Sequence, residues 1–273
     1  MDRPKVAPDH DLAVGAAEEL LRQHRDRERF AALPPPWEIN DAAFAYAVQA
    51  VLVDRLQALR GTGTCGYKIA LTTPAMRRMV GFHDSISGRL LSDRVLPSGA
   101  TIHAADFGRL LIEFEIAFQL GADLPVREEP WTREAIRPYV ACAFPALEVA
   151  DDRHADYDAL AESILTLAAD NAWNEGLVLG PPVSGLTAGD LLGAIGVASI
   201  DGREVGRGTG ADVLGHPLDA LAWLARHLQA RNLSLRAGDL VTTGSLVPSK
   251  FPAPGNEVSF EVSGIGSVSL RVR

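Results

Sequence analysis

Several familiar signals are missing from this sequence. It has only two cysteines, Cys65 and Cys142. They stand far apart and form no C-x-x-C pair, which excludes a disulfide framework and a cysteine-based zinc or redox site. A reducing, cytoplasmic setting is the expectation. No apolar run approaches the ~20 residues that span a bilayer. The opening MDRPKVAPDHDLAVG has no apolar core of signal-peptide type, so no membrane partner is expected. Positive charge is in deficit. The formal net charge is -9, which argues against nucleic acid, because phosphates call for Lys/Arg surfaces. The seven histidines show no H-x-x-x-H or H-E-x-x-H spacing. There is no Walker A motif and no G-x-S-x-G elbow. The glycine-rich GREVGRGTG lacks the strand-to-helix setting of a dinucleotide site and reads as a hairpin loop.

What is present is an ordinary globular composition, 47% hydrophobic and 22% charged over 273 residues. That is enough for one large domain or two small ones. Apolar residues at helical spacing predict a helix over Asp11 to about Arg27. A second runs from an Asn40 cap to Gly61, with Phe44, Ala47, Val48, Val51, Leu52, Leu56 and Leu59 on one stripe. From Gly66 onward short apolar segments and turn residues predict strands at 65–71, 110–120, 139–149, 195–200, 203–208, 239–243, 257–263 and 267–272. Asp201-Gly202 marks a hairpin, and VSGIGSVSL marks another reversal. Helices are predicted over Asp156–Asn171 and from Pro217 onward. The division that follows is a helical region over 1–63 and a strand-dominated domain over 64–273.

The chemistry centres on LLIEFEIAFQL, residues 110–120. As a strand it places Ile112, Phe114, Ile116, Phe118 and Leu120 on one face, and Leu111, Glu113, Glu115, Ala117 and Gln119 on the other. A helix would splay the two glutamates by about 200 degrees. On one strand face their Cβ atoms lie roughly 6–7 Å apart. Two carboxylates that close call for a proton or a cation between them, unless the face is simply open to water. FPALEVAD supplies a third acid, Glu148, on a face with Phe144, Ala146 and Ala150. Three carboxylates from two strands form an all-oxygen site suited to Mg²⁺ or Mn²⁺. A salt bridge from Glu148 to Arg153 is the plainer alternative.

In CGYKIALTT, Lys68 stands between Gly66 and Ala70 on its own face, which leaves room for a reactant to approach the ammonium. A desolvated lysine there can act as general acid or base; a snorkelling lysine is the alternative. TTGSL, with Thr243 and Ser245, follows a strand. Its N–H groups and hydroxyls can hold a carboxylate or enolate oxygen, or form a plain turn.

The order GYKIALTT, IEFEIAFQL, PALEVAD, AADNA, GHPLDALAWLA and AGDLVTTGSL resembles the 2-keto-4-pentenoate hydratase family, within the fumarylacetoacetate hydrolase superfamily. The likeness runs from about residue 40 to the C-terminus. It implies an α+β fold, a mixed β-roll with an N-terminal helical portion. It implies a divalent metal on Glu113, Glu115 and Glu148, a proton-carrying Lys68, a small 2-oxo acid as substrate, and a homo-oligomer. Members hydrate 2-hydroxy-dienoates or 2-oxo-enoates, and close relatives decarboxylate 2-oxo-3-hexenedioate.

The chain departs from that pattern in its pocket. Ser85 and Ile86 fill the usual Pro-Asp places, with Asp84 the nearest substitute acid. Arg89, in a Gly-Arg-Leu, resembles the decarboxylases and offers a partner for a distal carboxylate. Trp173 and Asn174 replace two small serines. Three functions follow as expectations: a hydratase, a decarboxylase, or a non-catalytic binder of 2-oxo acids.

Overall fold

The computed structural model describes residues 9–273. The first eight, part of the stretch read for a signal sequence, lie outside the described residues. Helix α1 spans His10–Asp26 and α2 spans Ala42–Arg60. Asp9 caps α1 through the N–H groups of Asp11 and Leu12, and Asp41 caps α2 through Phe44. The second cap is one residue past the expected Asn40. Both helices end on a left-handed residue, Arg27 and Gly61.

The strands are β1 (Thr64–Ala70), β2 (Ile86–Leu91), β3 (Val95–Pro97), β4 (Ala100–Ile102), β5 (Leu110–Leu120), β6 (Val140–Asp151), β7 (Asn174–Leu179), β8 (Ile195–Ile200), β9 (Arg203–Thr209), β10 (Leu240–Lys250), β11 (Glu257–Val262) and β12 (Gly266–Val272). Between them lie α3 (Pro74–Met79), α4 (Arg133–Ile136), α5 (Ile164–Ala169), α6 (Ala188–Gly193) and α7 (Pro217–Gln229). A seven-stranded sheet runs β2-β1-β10-β5-β6-β7-β3, and a five-stranded sheet runs β4-β12-β11-β8-β9. Strand β1 pairs in parallel with β10 and antiparallel with β2, so the larger sheet is mixed.

The predicted helix over 156–171 is much shorter in the fold. Asp156 accepts from the Asp158 N–H, an Asx turn that diverts the chain before α5. The predicted 239–243 strand is longer, continuing to Lys250 through a bulge at Gly244. Strands β2, β3, β4 and β7 had no sequence counterpart; β3 and β4 are three residues each, too short to show a period.

The alternation of β5 divides the core. Ile112, Phe114, Ile116 and Phe118 join Phe260, Leu270 and the apolar face of α7 between the two sheets. Phe114 and Phe260 meet edge to face at 5.6 Å. On the opposite face, Leu111 and Ala150 join Ala13, Leu20, Val48 and Leu52 of α1 and α2, together with Ile86, Leu167 and Trp173. A smaller cluster of Leu90, Ala117, Phe144, Ala146, Leu177 and Leu240 continues along that second face. The glutamates therefore emerge between two apolar clusters, under the N-terminal helices.

Candidate metal centre

Strands β5 and β6 pair with Glu113 directly opposite Glu148 and Glu115 opposite Ala146. Antiparallel partners share a face, so the three acids converge. A carboxylate oxygen from each lies within 4.8 Å of the others. Glu115 and Glu148 are fully buried, while Glu113 retains some exposure.

Each acid has a fixed orientation. Glu115 accepts the Gly244 N–H at 2.6 Å. Glu148 accepts from Asn174 Nδ2 at 2.8 Å, and Glu113 from the Ser249 hydroxyl at 3.0 Å. Yet Glu115 Oε1 and Glu148 Oε2 are buried with no partner. A buried carboxylate oxygen left this way costs several kcal/mol. Burial raises the pKa of Glu115 well above the ordinary range, and the charges of Glu148 and Glu113 add to it. An all-oxygen donor set with two unpartnered atoms fits a hard divalent cation.

Lys68 Nζ lies 3.1 Å from Glu148 Oε1 and 3.8 Å from Glu113 Oε2. Burial alone would lower its pKa, but Glu148, Glu113 and Glu115 outweigh burial and hold the ammonium above the usual lysine value. The ammonium also donates to the Ala172 carbonyl at 3.1 Å. Asn171, Ala172 and Trp173 all have left-handed φ angles, 52°, 50° and 60°. Such a run in non-glycine residues is strained. It is held by Asn171, whose side chain exchanges two hydrogen bonds with the Arg89 backbone. Gly88 permits this approach: a Cβ there would lie 2.4 Å from the Asn171 carbonyl oxygen.

The remaining residues singled out in the sequence divide. Asn174 touches the cage. Ile86 pairs with Ala70 on the Lys68 face and is buried against the N-terminal layer. Trp173 packs edge to face on Phe30 at 4.9 Å, and its indole Nε1 is buried without a partner. Arg89 is not beside the acids. It pairs with Tyr67, whereas Gly88 pairs with Lys68, so its guanidinium projects from the other face, over the Tyr67 ring and onto the Tyr67 and Thr64 hydroxyls.

Thr243 and Ser245 are also occupied elsewhere. Thr243 donates to the Ile116 carbonyl, and Ser245 bonds the Phe114 and Val247 backbone, closing the bulge. The threonine on the cage face is Thr242, which pairs with both Lys68 and Ala117 and has a buried, unpartnered hydroxyl. Only the register of β10 against β1 distinguishes it from Thr243. Asp84 accepts the Trp223 indole N–H on α7 at 2.7 Å. The alternative partner for Glu148, Arg153, instead pairs with buried Asp170.

This mixed-sheet α+β chain has known counterparts. Residues 90–273 match the family model described as fumarylacetoacetate (FAA) hydrolase C-terminal, and the chain belongs to that family. It is 34% identical over 263 residues to the 2-keto-4-pentenoate hydratase of Burkholderia vietnamiensis, covering 96% of this chain and 98% of that one. It is 35% identical over 211 residues to the 4-oxalocrotonate decarboxylase of a Pseudomonas species, covering 77% and 79%. The structure of 4-oxalocrotonate decarboxylase from Pseudomonas putida G7, complexed with magnesium and adipate, aligns with a TM-score of 0.86 at 26% identity. That alignment covers 97% of this chain and 98% of that one. The resemblance carried by the six motifs and the α+β fold expected from it both hold. Among the described residues no helix is long and apolar enough to cross a membrane.

Proposed function

We propose that this chain is a metal-dependent hydratase, a hydro-lyase that adds water to a 2-hydroxy-dienoate or 2-oxo-enoate such as 2-keto-4-pentenoate. The observation that carries the proposal is the buried cage of Glu113, Glu115 and Glu148 with Lys68 against it. The hydratase relatives matching over most of the chain support it. Glu113, Glu115 and Glu148 would hold Mg²⁺ or Mn²⁺, which when bound supplies Lewis-acid stabilisation for the charge of an enolate. As in the family it resembles, the chain is taken to work as a homo-oligomer.

Lys68, whose proton the three acids hold in the metal-free cage, is placed to act as an ammonium toward the substrate. It can therefore give a proton to carbon as the dienol becomes the ketone, and the resulting amine recovers a proton from the enol hydroxyl. Water then adds hydroxyl and hydrogen across the conjugated double bond. Ala172 fixes the ammonium in direction. Thr242, with its free hydroxyl on the same face, is placed to orient a substrate oxygen. Leu111, Ile86 and Trp173 keep the surroundings dry, which strengthens each of these contacts.

Decarboxylation of a 2-oxo-3-hexenedioate-like acid is the second reading, favoured by Ile86 where the hydratases carry an acid. Against it stands Arg89, which faces across the sheet and leaves a distal carboxylate without that cation. Incubation with Mg²⁺ and each substrate, following ultraviolet loss and CO₂ release, separates the two. We expect loss of 2-hydroxypenta-2,4-dienoate absorbance without CO₂. CO₂ from the diacid would overturn hydration in favour of decarboxylation, and tight binding without turnover would leave a 2-oxo acid binder. Arg89→Ala is expected to change KM for either substrate by no more than about twofold. A tenfold rise for the diacid alone would place Arg89 in the site.

A further inference from the structure

The left-handed turn that meets Lys68 is anchored from outside the strand domain. Asp170 immediately precedes it and is fully buried. Its carboxylate is gripped by two side chains. One is Arg153, two residues past the end of β6. The other is His24, in the last turn of α1, whose Nε2 lies 2.5 Å from Asp170 Oδ1. The Asp170 carbonyl in turn accepts the Trp173 N–H, closing the turn around Ala172. A continuous path therefore runs from α1 through Asp170 and the strained residues 171–173 to the carbonyl that holds the ammonium.

Resting on the reading of Lys68 as proton carrier, we infer that His24 is a positioning residue: through Asp170 it holds the turn whose Ala172 carbonyl aims Lys68. The physical need is clear. Three successive left-handed residues relax unless their surroundings over-determine them. Asn171 restrains them from the β2 side, and Gly88 gives no side chain to wedge them. On the other side the restraint is Asp170, and Arg153 alone leaves one Asp170 oxygen for His24. Trp173, sharing Phe30 with the cation of Arg153, ties the same turn to the N-terminal layer.

The charged groups facing His24 are Asp170, Arg153 and, at 3.8 Å from Nδ1, Glu175 of β7. Arg60 of α2 reaches Glu175 from the far side. Burial opposes protonation of His24, but Asp170 prevails and its pKa lies above the ordinary histidine value. Asp170 thus favours the protonated ring over the neutral one.

The test uses the full-length, Mg²⁺-loaded enzyme. The chain has three lysines, Lys5, Lys68 and Lys250, so ¹³C-labelled lysine gives a spectrum in which Lys68→Met assigns the Lys68 signal. His24→Leu keeps bulk but removes the bond to Asp170. It should lower kcat by about tenfold to a hundredfold, as a misplaced catalytic group does, with KM within about twofold and the Lys68 resonance displaced. His24→Gln restores a donor and should recover most of kcat.

Wild-type kcat and an unmoved Lys68 signal in His24→Leu would overturn the inference. So would a lowered Tm with kcat unchanged. If His24→Leu does not fold, His24→Phe, which keeps a ring but has no donor for Asp170, is read in its place, with the same outcomes. If Lys68→Met is itself fully active, the reading of Lys68 fails. If it is inactive while His24→Leu behaves as wild type, only the inference about His24 fails.

Discussion

Lys68→Met should lower turnover by about 10²–10⁴-fold, the range of a lost general acid, yet bind Mg²⁺ at least as well as the wild type. Both halves follow from one geometry. The ammonium lies 3.1 Å from Glu148 and 3.8 Å from Glu113, so it repels any cation in the cage, and its removal relieves that repulsion. The metal-free variant should also be the less stable one, because its three acids lose their counter-charge. Breaking a buried pair in this way costs about 3–5 kcal/mol. Added Mg²⁺ should restore most of that stability. The checks are steady-state kinetics, calorimetric Mg²⁺ titration, and thermal melts with and without metal. A fully active Lys68→Met protein would refute the role of Lys68, and weaker Mg²⁺ binding would refute the geometry.

Glu115→Gln should behave in the opposite sense. Glu115 is buried, its pKa is raised, and its Oε1 has no partner. A neutral amide relieves the crowding of like charges, so the metal-free variant should melt no lower than the wild type. It also removes one arm of the cage. Because even outer-shell changes weaken metal sites 10–100-fold, the direct loss should weaken Mg²⁺ binding at least about 100-fold. At a metal concentration 100 times the wild-type Kd, the wild type gains about 2.7 kcal/mol of stability. Glu115→Gln should show almost none of that gain, and no turnover. An Mg²⁺-induced shift of wild-type size would mean that these acids do not bind the ion.

The sequence revealed what local periodicity controls. Period-2 alternation in LLIEFEIAFQL put Glu113 and Glu115 on one face, as β5 has them. The meeting of Glu113 with Glu148 is a matter of register, which long-range pairing decides and no short pattern records. The same one-residue sensitivity explains Thr243. TTGSL offered three hydroxyls, and only the pairing of β10 with β1 shows that Thr242 is the one facing Lys68. Arg89 lay in a strand without clear alternation. Once Gly88 is opposite Lys68, Arg89 must face away. The turn at 171–173 was beyond sequence reading altogether: three non-glycine residues adopt left-handed backbone only because Asn171, Asp170 and the N-terminal layer hold them there.

The pairing of β1 with β10 also orders events during folding. Glu113 and Glu148 are 35 positions apart and sit on one antiparallel pair, β5 with β6. Lys68 reaches its place only when β1 lies beside β10, a contact between residues 174 positions apart. Closing the larger loop is entropically dearer and slower. The shorter loop predicts that the acids assemble before their ammonium arrives, through a stage with three clustered carboxylates and no internal counter-ion. Dissolved divalent cation should accelerate folding at that stage, acting on the chain before it acts on any substrate.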